Sequence, residues 1–338
     1  MNTDRRRLLL AAAAVVPLPA CRLPARWASA DAEVGGLQGF PSLSAALAAA
    51  PPGDRPYHVY LHPGQWHEKL VIRRANVHLH GAGAERSVLS HDTAAGHLDP
   101  ATGQPWGTFG CATLIVRAPG FCASDLTIAN AFDYPGHLAQ PRLEQIGANG
   151  AQAVALMLDG GSAAAMLKRV HLRGHQDTLF VDAGHSSFRD CCIEGSVDFI
   201  FGAGQATFLD CELRSRWRPG KPRQGYVCAP STARTAASGL HFQRCRLTRE
   251  AGVPDGSVAL ARPWRPTRDF PDGRYGDPEA CGSARFTACW MEAHIDRVQP
   301  WDPMAYTDRE GRRVALSARE ARFSAAHNRG PGAVNRGP

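Results

Sequence analysis

A strand-sized motif that keeps returning constrains this chain more than anything else in it. Phe188-Arg-Asp-Cys191-Cys-Ile193 recurs as Phe208-Leu-Asp-Cys211-Glu-Leu213, as Phe242-Gln-Arg-Cys245-Arg-Leu247 and as Phe286-Thr-Ala-Cys289-Trp-Met291. Looser copies are Leu167-Lys-Arg-Val170-His-Leu172 and Ala123-Ser-Asp-Leu126-Thr-Ile128, and Val77-His-Leu79 carries the last part of the pattern. Each copy ends in two apolar residues separated by one residue, the period-two signature of a strand with one buried face. With Val170, Cys191, Cys211, Cys245 and Cys289 as markers, the spacings are 21, 20, 34 and 44 residues. The short steps approximate one turn of a β-solenoid, and the longer ones are turns that carry loop insertions. A sandwich does not return one strand pattern at every turn. A single-stranded parallel β-helix does, because each coil stacks like residues on like. No low-complexity linker divides residues 31–320, so residues 31–338 read as one all-β domain, with Arg329 to Pro338 as a frayed Gly/Pro-rich tail.

The 338 residues carry a formal charge of +7, and the first thirty hold five Arg against one Asp, a net of +4 that leaves +3 for the rest. That mild basicity suits an anionic polymer. It excludes a nucleic-acid footprint, since no dense Lys/Arg run is present. Residues 1–30 read as an export signal: Arg5-Arg6-Arg7 precedes Leu8 to Val16, an apolar stretch too short for a permanent span. The paired arginines allow the twin-arginine route. Two processing sites compete, a small-x-small site at Ala28-Ser29-Ala30 and a lipoprotein-like Leu18-Pro19-Ala20-Cys21 that would leave a lipid anchor at Cys21. The expected location is secreted or periplasmic, with an outer-membrane lipoprotein as the other branch. Of ten cysteines, nine follow the leader; the count is odd, so at least one stays unpaired. No C-x-x-C pair occurs, so neither a metal nor a cofactor is expected. Most of the thiols read as small core hydrophobes.

The repeat also aligns chemistry. Asp177 follows Val170 by seven residues and Asp198 follows Cys191 by seven, so the two occupy the same place on consecutive coils, roughly 4.8 Å apart. Two carboxylates that close do not both ionise cheaply, so one keeps its proton near neutrality. An acid beside a base is the equipment of acyl transfer or glycoside cleavage. Either aspartate alone would pass for a turn residue; the matched offset argues for a joint role. Arg262 in Leu260-Ala261-Arg262-Pro263-Trp264 is a permanent cation able to fork onto a carboxylate, and Trp264 offers a flat apolar face to a sugar.

Gly174-His175-Gln176-Asp177-Thr178-Leu179-Phe180, Gly195-Ser196-Val197-Asp198-Phe199-Ile200-Phe201-Gly202 and the Arg262 segment, together with Gly150-Ala-Gln152-Ala-Val-Ala-Leu156 and Gly64-Gln-Trp66-His-Glu68, resemble the five signature segments of the pectin methylesterase family, in the family's order. The likeness runs from about residue 32 to about 330. Phe132-Asp133-Tyr134-Pro135 and Ala229-Pro230-Ser231-Thr232 are similar to secreted bacterial members. The resemblance implies a right-handed parallel β-helix that hydrolyses the C6 methyl esters of methyl-esterified homogalacturonan (pectin), acting as a monomer. It implies Asp198 as nucleophile, Asp177 as acid and base, Gln152 and Gln176 as oxyanion donors, and Arg262 as the residue that orients Asp198. It further implies Phe180, Val197, Phe201, Trp264 and Thr267 along the sugar cleft, with Thr108, Arg218 and Met304 matched through loops, and a disulfide between Cys191 and Cys211. Departures are present: Ala261 stands for the usual Gly, His175 and Phe180 for the usual Tyr, and the longer C-terminal segment of relatives is missing, which would expose part of the helix surface and lower stability.

Two other readings follow from the same residues. A polygalacturonase or pectate lyase needs clustered aspartates or Ca²⁺-binding acids, whereas two stacked aspartates flanked by two glutamines suit an oxyanion. An exported β-helical lipoprotein with acyl-thioester esterase activity is the alternative that Cys21 keeps open, although such relatives tend to lose parts of a constellation that is complete here.

Overall fold

The computed structural model describes residues 30–338 except 142–145, 147–149 and 183. The leader read from residues 1–30, Cys21 included, thus lies outside the described residues apart from residue 30.

The recurring motif is strand register made visible in sequence. A ten-stranded sheet runs from Ala32–Val34 to Arg322–Ala326, an eight-stranded one from Gly64–His67 to Trp290–Met291, and a seven-stranded one from Leu70–Ile72 to Val258–Ala261. All neighbours within these three sheets pair in parallel, and successive strands of the chain visit the sheets in turn, which makes a parallel β-helix. One coil comprises His185–Arg189 in the first sheet, Cys192–Gly195 in the second and Ile200–Gly202 in the third. The next coil lies on it with Phe208 on Phe188, Leu213 on Ile193 and Cys228 on Ile200.

Like therefore stacks on like through the interior. The rings of Phe188, Phe208, Phe242 and Phe286 form a column with centroids 4.6, 4.7 and 4.5 Å apart and planes within 18° of parallel, every ring fully buried. Beside them runs a ladder of thiols. The sulfurs of Cys191, Cys211, Cys245 and Cys289 each lie 3.3–3.5 Å from a main-chain carbonyl of the coil before. The expected Cys191–Cys211 disulfide is not formed. The two do occupy matching positions on adjacent coils, but all nine described cysteines are thiols. Cys191 and Cys211 fill core volume and satisfy their S–H groups on carbonyls, so the register does not need the bond.

A two-residue corner joins the first sheet to the second in six consecutive coils. Its first residue has left-handed backbone: Asp125, Arg169, Asp190, Asp210, Arg244 and Ala288 all have φ between 51 and 58°. Each such residue costs about 1–2 kcal/mol unless its side chain finds local partners. Stacking supplies them, since Arg169 forks onto Asp125 and Arg244 onto Asp210. At the N-terminal end the helix Leu43–Ala48 packs Leu43 and Ala46 into the core, and Glu68 accepts hydrogen bonds from the Leu43 and Ser44 amides. The expected frayed tail is instead folded down: Asn328 bonds the Cys289 amide and the Phe286 and Val334 carbonyls, and Val334 is 3 % exposed. A buried amide side chain that bridges two coil ends outweighs the Gly/Pro composition of the segment.

Phe208 has a ring on either side, so Phe208→Ala leaves a cavity between coils. A loss of about 3–5 kcal/mol in urea unfolding is expected; a loss below about 1 kcal/mol would show that the column does not hold the coils together.

Candidate active site

Two successive coils leave the second sheet through the same four-residue path, Gly174-His175-Gln176-Asp177 and Gly195-Ser196-Val197-Asp198. The glycines let the paths lie flat on one another. A Cβ on Gly195 would stand 2.3 Å from Phe199 Cβ and 2.7 Å from the His175 carbonyl, and one on Gly174 would stand 2.6 Å from Thr178 Oγ1. Both aspartates then adopt left-handed backbone, φ 65° and 50°, and the Asp177 amide donates to the Val197 carbonyl at 3.0 Å. Their side chains emerge at the boundary of the second and third sheets, 8 % and 5 % exposed.

Identical residues in matched places have unlike surroundings. Arg262 follows the third-sheet strand Val258–Ala261 two coils beyond Asp198 and reaches back to it. Its Nε and Nη2 donate to the two carboxylate oxygens at 2.8 and 2.5 Å, and its guanidinium lies 3.9 Å above the Tyr226 ring of the intervening coil. A bidentate, charge-assisted pair of this kind is among the strongest contacts a carboxylate makes. Burial alone would lower the Arg262 pKa, but the charge and hydrogen bonds of Asp198 outweigh it and raise it overall. Asp177 has no such partner. Burial first, and the Asp198 charge second, push its carboxyl well above the usual range, with Arg262 opposing only in part. Burial and the neighbouring charge thus favour the protonated form of Asp177, while the bidentate guanidinium is Asp198's alone.

Gln152 lies on the preceding coil, tied to the Gln176 path by the Ala153 amide, which donates to the Gln176 carbonyl at 3.1 Å. Its Oε1 is buried and makes no hydrogen bond. Gln152, Gln176, Asp177, Asp198 and Arg262 share one cleft of about 700 Å³. The floor is the outward face of the third sheet, where Met157, Phe180, Phe201 and Ala229 stack in register. The aromatic line runs Phe109, Phe180, Phe201, Trp264 at centroid steps of 4.9, 4.8 and 5.7 Å.

Of the residues matched to a sugar cleft, Thr108, Phe201, Trp264, Thr267 and Met304 line it. Phe180 lies beneath, wedged between Phe109 and Phe201, and Val197 contributes its carbonyl to Asp177. Arg218 is not part of the lining: it sits over the Tyr134 ring and donates to the carbonyls of Arg223 and Gln224. The motifs do not reveal Phe109, Arg265, Tyr306 or Arg313, which complete the walls from a short helix, the segment after Trp264 and one hairpin. Nor do they reveal Tyr226, whose only sequence signal is its strand position between the coils of Asp198 and Arg262. His175, in place of the usual Tyr, stacks on Tyr134 with centroids 5.2 Å apart, and burial, aided by Arg216, pushes its pKa down to about 3. It is neutral and lines a separate groove with Phe132 and Arg216, outside this cleft.

A family model described as Pectinesterase matches residues 32–269. The chain belongs to the pectinesterase family. Pectinesterase A of Dickeya dadantii is 40 % identical over 299 residues, 87 % of this chain and 81 % of its own length. The crystal structure of the pectin methylesterase PemA from Erwinia chrysanthemi superimposes with a TM-score of 0.86 at 38 % identity, covering 90 % of this chain and 91 % of that one. The pectin methylesterase from Yersinia enterocolitica gives 0.84 at 43 % identity, covering 88 % and 93 %. As a pectinesterase this protein is a carboxylic ester hydrolase with pectin methylesterase activity. A pectin methylesterase has also been solved in complex with a hexasaccharide, at the same similarity of 0.86 and 38 %.

The raised pKa of Asp177 has a sign. The folded protein holds this proton more tightly than the unfolded chain, so the contribution to stability is full below the unfolded pKa and is lost as pH rises through the folded one. Asp177→Asn removes that loss. The variant is expected to unfold at higher urea concentration than the native pectinesterase at neutral pH, with the difference vanishing near pH 3. Equal midpoints at every pH would show that Asp177 is not held protonated.

Proposed function

We propose that this pectinesterase hydrolyses the C6 methyl esters of methyl-esterified homogalacturonan through an acyl-enzyme intermediate on Asp198. The observation that carries the assignment is the unequal pair: Asp198 is gripped by Arg262, while Asp177 is buried and unpaired. An Arg-bound carboxylate keeps its charge and its aim, which suits the nucleophile. A protonated neighbour one coil away is placed to act as acid.

In the first step an Asp198 oxygen attacks the ester carbon, and the carbonyl electrons move to its oxygen. The Gln152 and Gln176 amides donate to that oxyanion. Collapse expels the methoxy group, which takes the Asp177 proton and leaves as methanol, giving an anhydride between Asp198 and the galacturonyl carbon. Asp177, now ionised, removes a proton from water as the water attacks the same carbon. The second intermediate collapses to the galacturonic acid and the Asp198 carboxylate, and Asp177 is left protonated for the next cycle. No step needs a metal or a cofactor, and every group comes from one chain. The aromatic line from Phe109 to Trp264 gives flat apolar faces to sugar rings, and Arg265 and Arg313 on the rim give cations to an anionic polymer. Since such a polymer does not enter cells, residues 1–30 act as an export signal in this reading.

Asp198→Asn removes the nucleophile, and methanol release from highly methylated pectin is expected to fall by at least about a thousandfold with the far-UV spectrum unchanged. Near-native turnover in that variant would remove Asp198 from the mechanism. Gln176→Ala is expected to lower kcat by about a hundredfold, because an oxyanion donor acts in the transition state. A change confined to KM would assign Gln176 to sugar binding instead.

A further inference from the structure

The first sheet carries three histidines on its outer face near the N-terminal end. Tyr57–Leu61 and Val77–Gly81 pair in parallel, with His58 opposite His78 and Tyr60 opposite His80. Val59, Leu61, Val77 and Leu79 turn inward and are fully buried, so strand alternation sends His58, His78 and His80 outward. They do not splay into solvent: His80 is 6 % exposed and the other two are half-buried. His58 Nδ1 lies 3.1 Å from His80 Nε2, with the rings near parallel at 13°. The His78 ring meets that of His58 edge-on at 4.6 Å. One nitrogen from each of the three lies within 4.8 Å of the other two.

A neutral imidazole offers one N–H and one lone pair. Ser124, in register with His80 on the next strand, places its Oγ 3.0 Å from His80 Nδ1. With the His80 proton on Nδ1, where that hydroxyl accepts it, Nε2 aims its lone pair at the other rings. A hydrogen bond to the far nitrogen is what orients metal-binding histidines and sets their tautomer. Tetrahedral zinc at 2.0–2.1 Å holds its nitrogens about 3.3 Å apart, so His58 Nδ1 and His80 Nε2, hydrogen-bonded at 3.1 Å, stand near ligand spacing once the ion replaces their shared proton, with a His78 nitrogen within 4.8 Å of both.

We propose that His58, His78 and His80 form a binding site for a divalent transition-metal ion of the zinc class, with three imidazole nitrogens and the remaining position left to water. The ion would brace two adjacent coils. It lies on the outer face of the first sheet, whereas the aspartates emerge between the second and third, so its role is structural. A second grouping, His171, Cys192 and Glu194, is less suited to a cation, because Arg173 and Arg214 already engage Glu194.

The test is calorimetric titration of chelator-treated full-length protein with zinc chloride, alongside thermal unfolding with and without zinc. One ion per chain and a midpoint raised by a few degrees in saturating zinc are expected. His78→Asn should abolish both effects. Ser124→Ala keeps all three ligands and should weaken zinc binding by about 10–100-fold. Neither variant should alter methanol release. If His78→Asn unfolds, the Ser124→Ala titration still decides. Less than one ion per chain in the native protein, or affinity unchanged in Ser124→Ala or in a folded His78→Asn, overturns the site.

Discussion

Parallel stacking in register is the constraint on which the rest of this molecule depends. Each strand of the β-helix sends its main-chain hydrogen bonds to the coils on either side, so a coil is completed only by its neighbours. The step that lays Phe208 on Phe188 is nearly the step that lays Asp198 beside Asp177. Catalytic spacing is thus a product of core packing, and no separate device is needed to bring two like charges together. The energy that opposes their approach is offset by the many contacts that hold the coils in line.

Given that forced proximity, function depends on making two equal residues unequal. Position within the coil cannot do so, since the paths carrying Asp177 and Asp198 match in their glycine, backbone sign and burial. The difference arrives from two coils away. Tyr226 is a flat spacer under the Arg262 guanidinium, and its hydroxyl bonds Asp302, which Arg223 holds in turn. Arg262 is therefore supported from beneath as well as by its partner carboxylate, and its guanidinium engages one aspartate and not both.

What was legible in the sequence follows the same logic. The Phe and Cys markers, and the seven-residue offset to each aspartate, are local and periodic, so they expose the fold and the aspartate pair. The walls of the cleft are not periodic. Phe109, Tyr306 and Arg313 come from insertions whose paths no coil repeat encodes, and Arg218, matched through a loop, sits over the Tyr134 ring. The Cys191–Cys211 pair shows a different limit. Register places two sulfurs together, but register alone does not join them, and here both remain thiols packed against main-chain carbonyls. The tail misled for a similar reason, because its glycines and prolines outnumber the single Asn328 that anchors it.

The corner between the first and second sheets keeps its two residues in six consecutive coils, while the other connections range from a few residues to a hairpin such as Thr267–Phe270 with Gly273–Gly276. The longest connections flank the third sheet, and that sheet holds the cleft. Mutation can lengthen, shorten or replace these loops without moving the rungs that carry the aspartates. A lineage built on this chain can therefore change which polymers it grips while inheriting its chemistry intact.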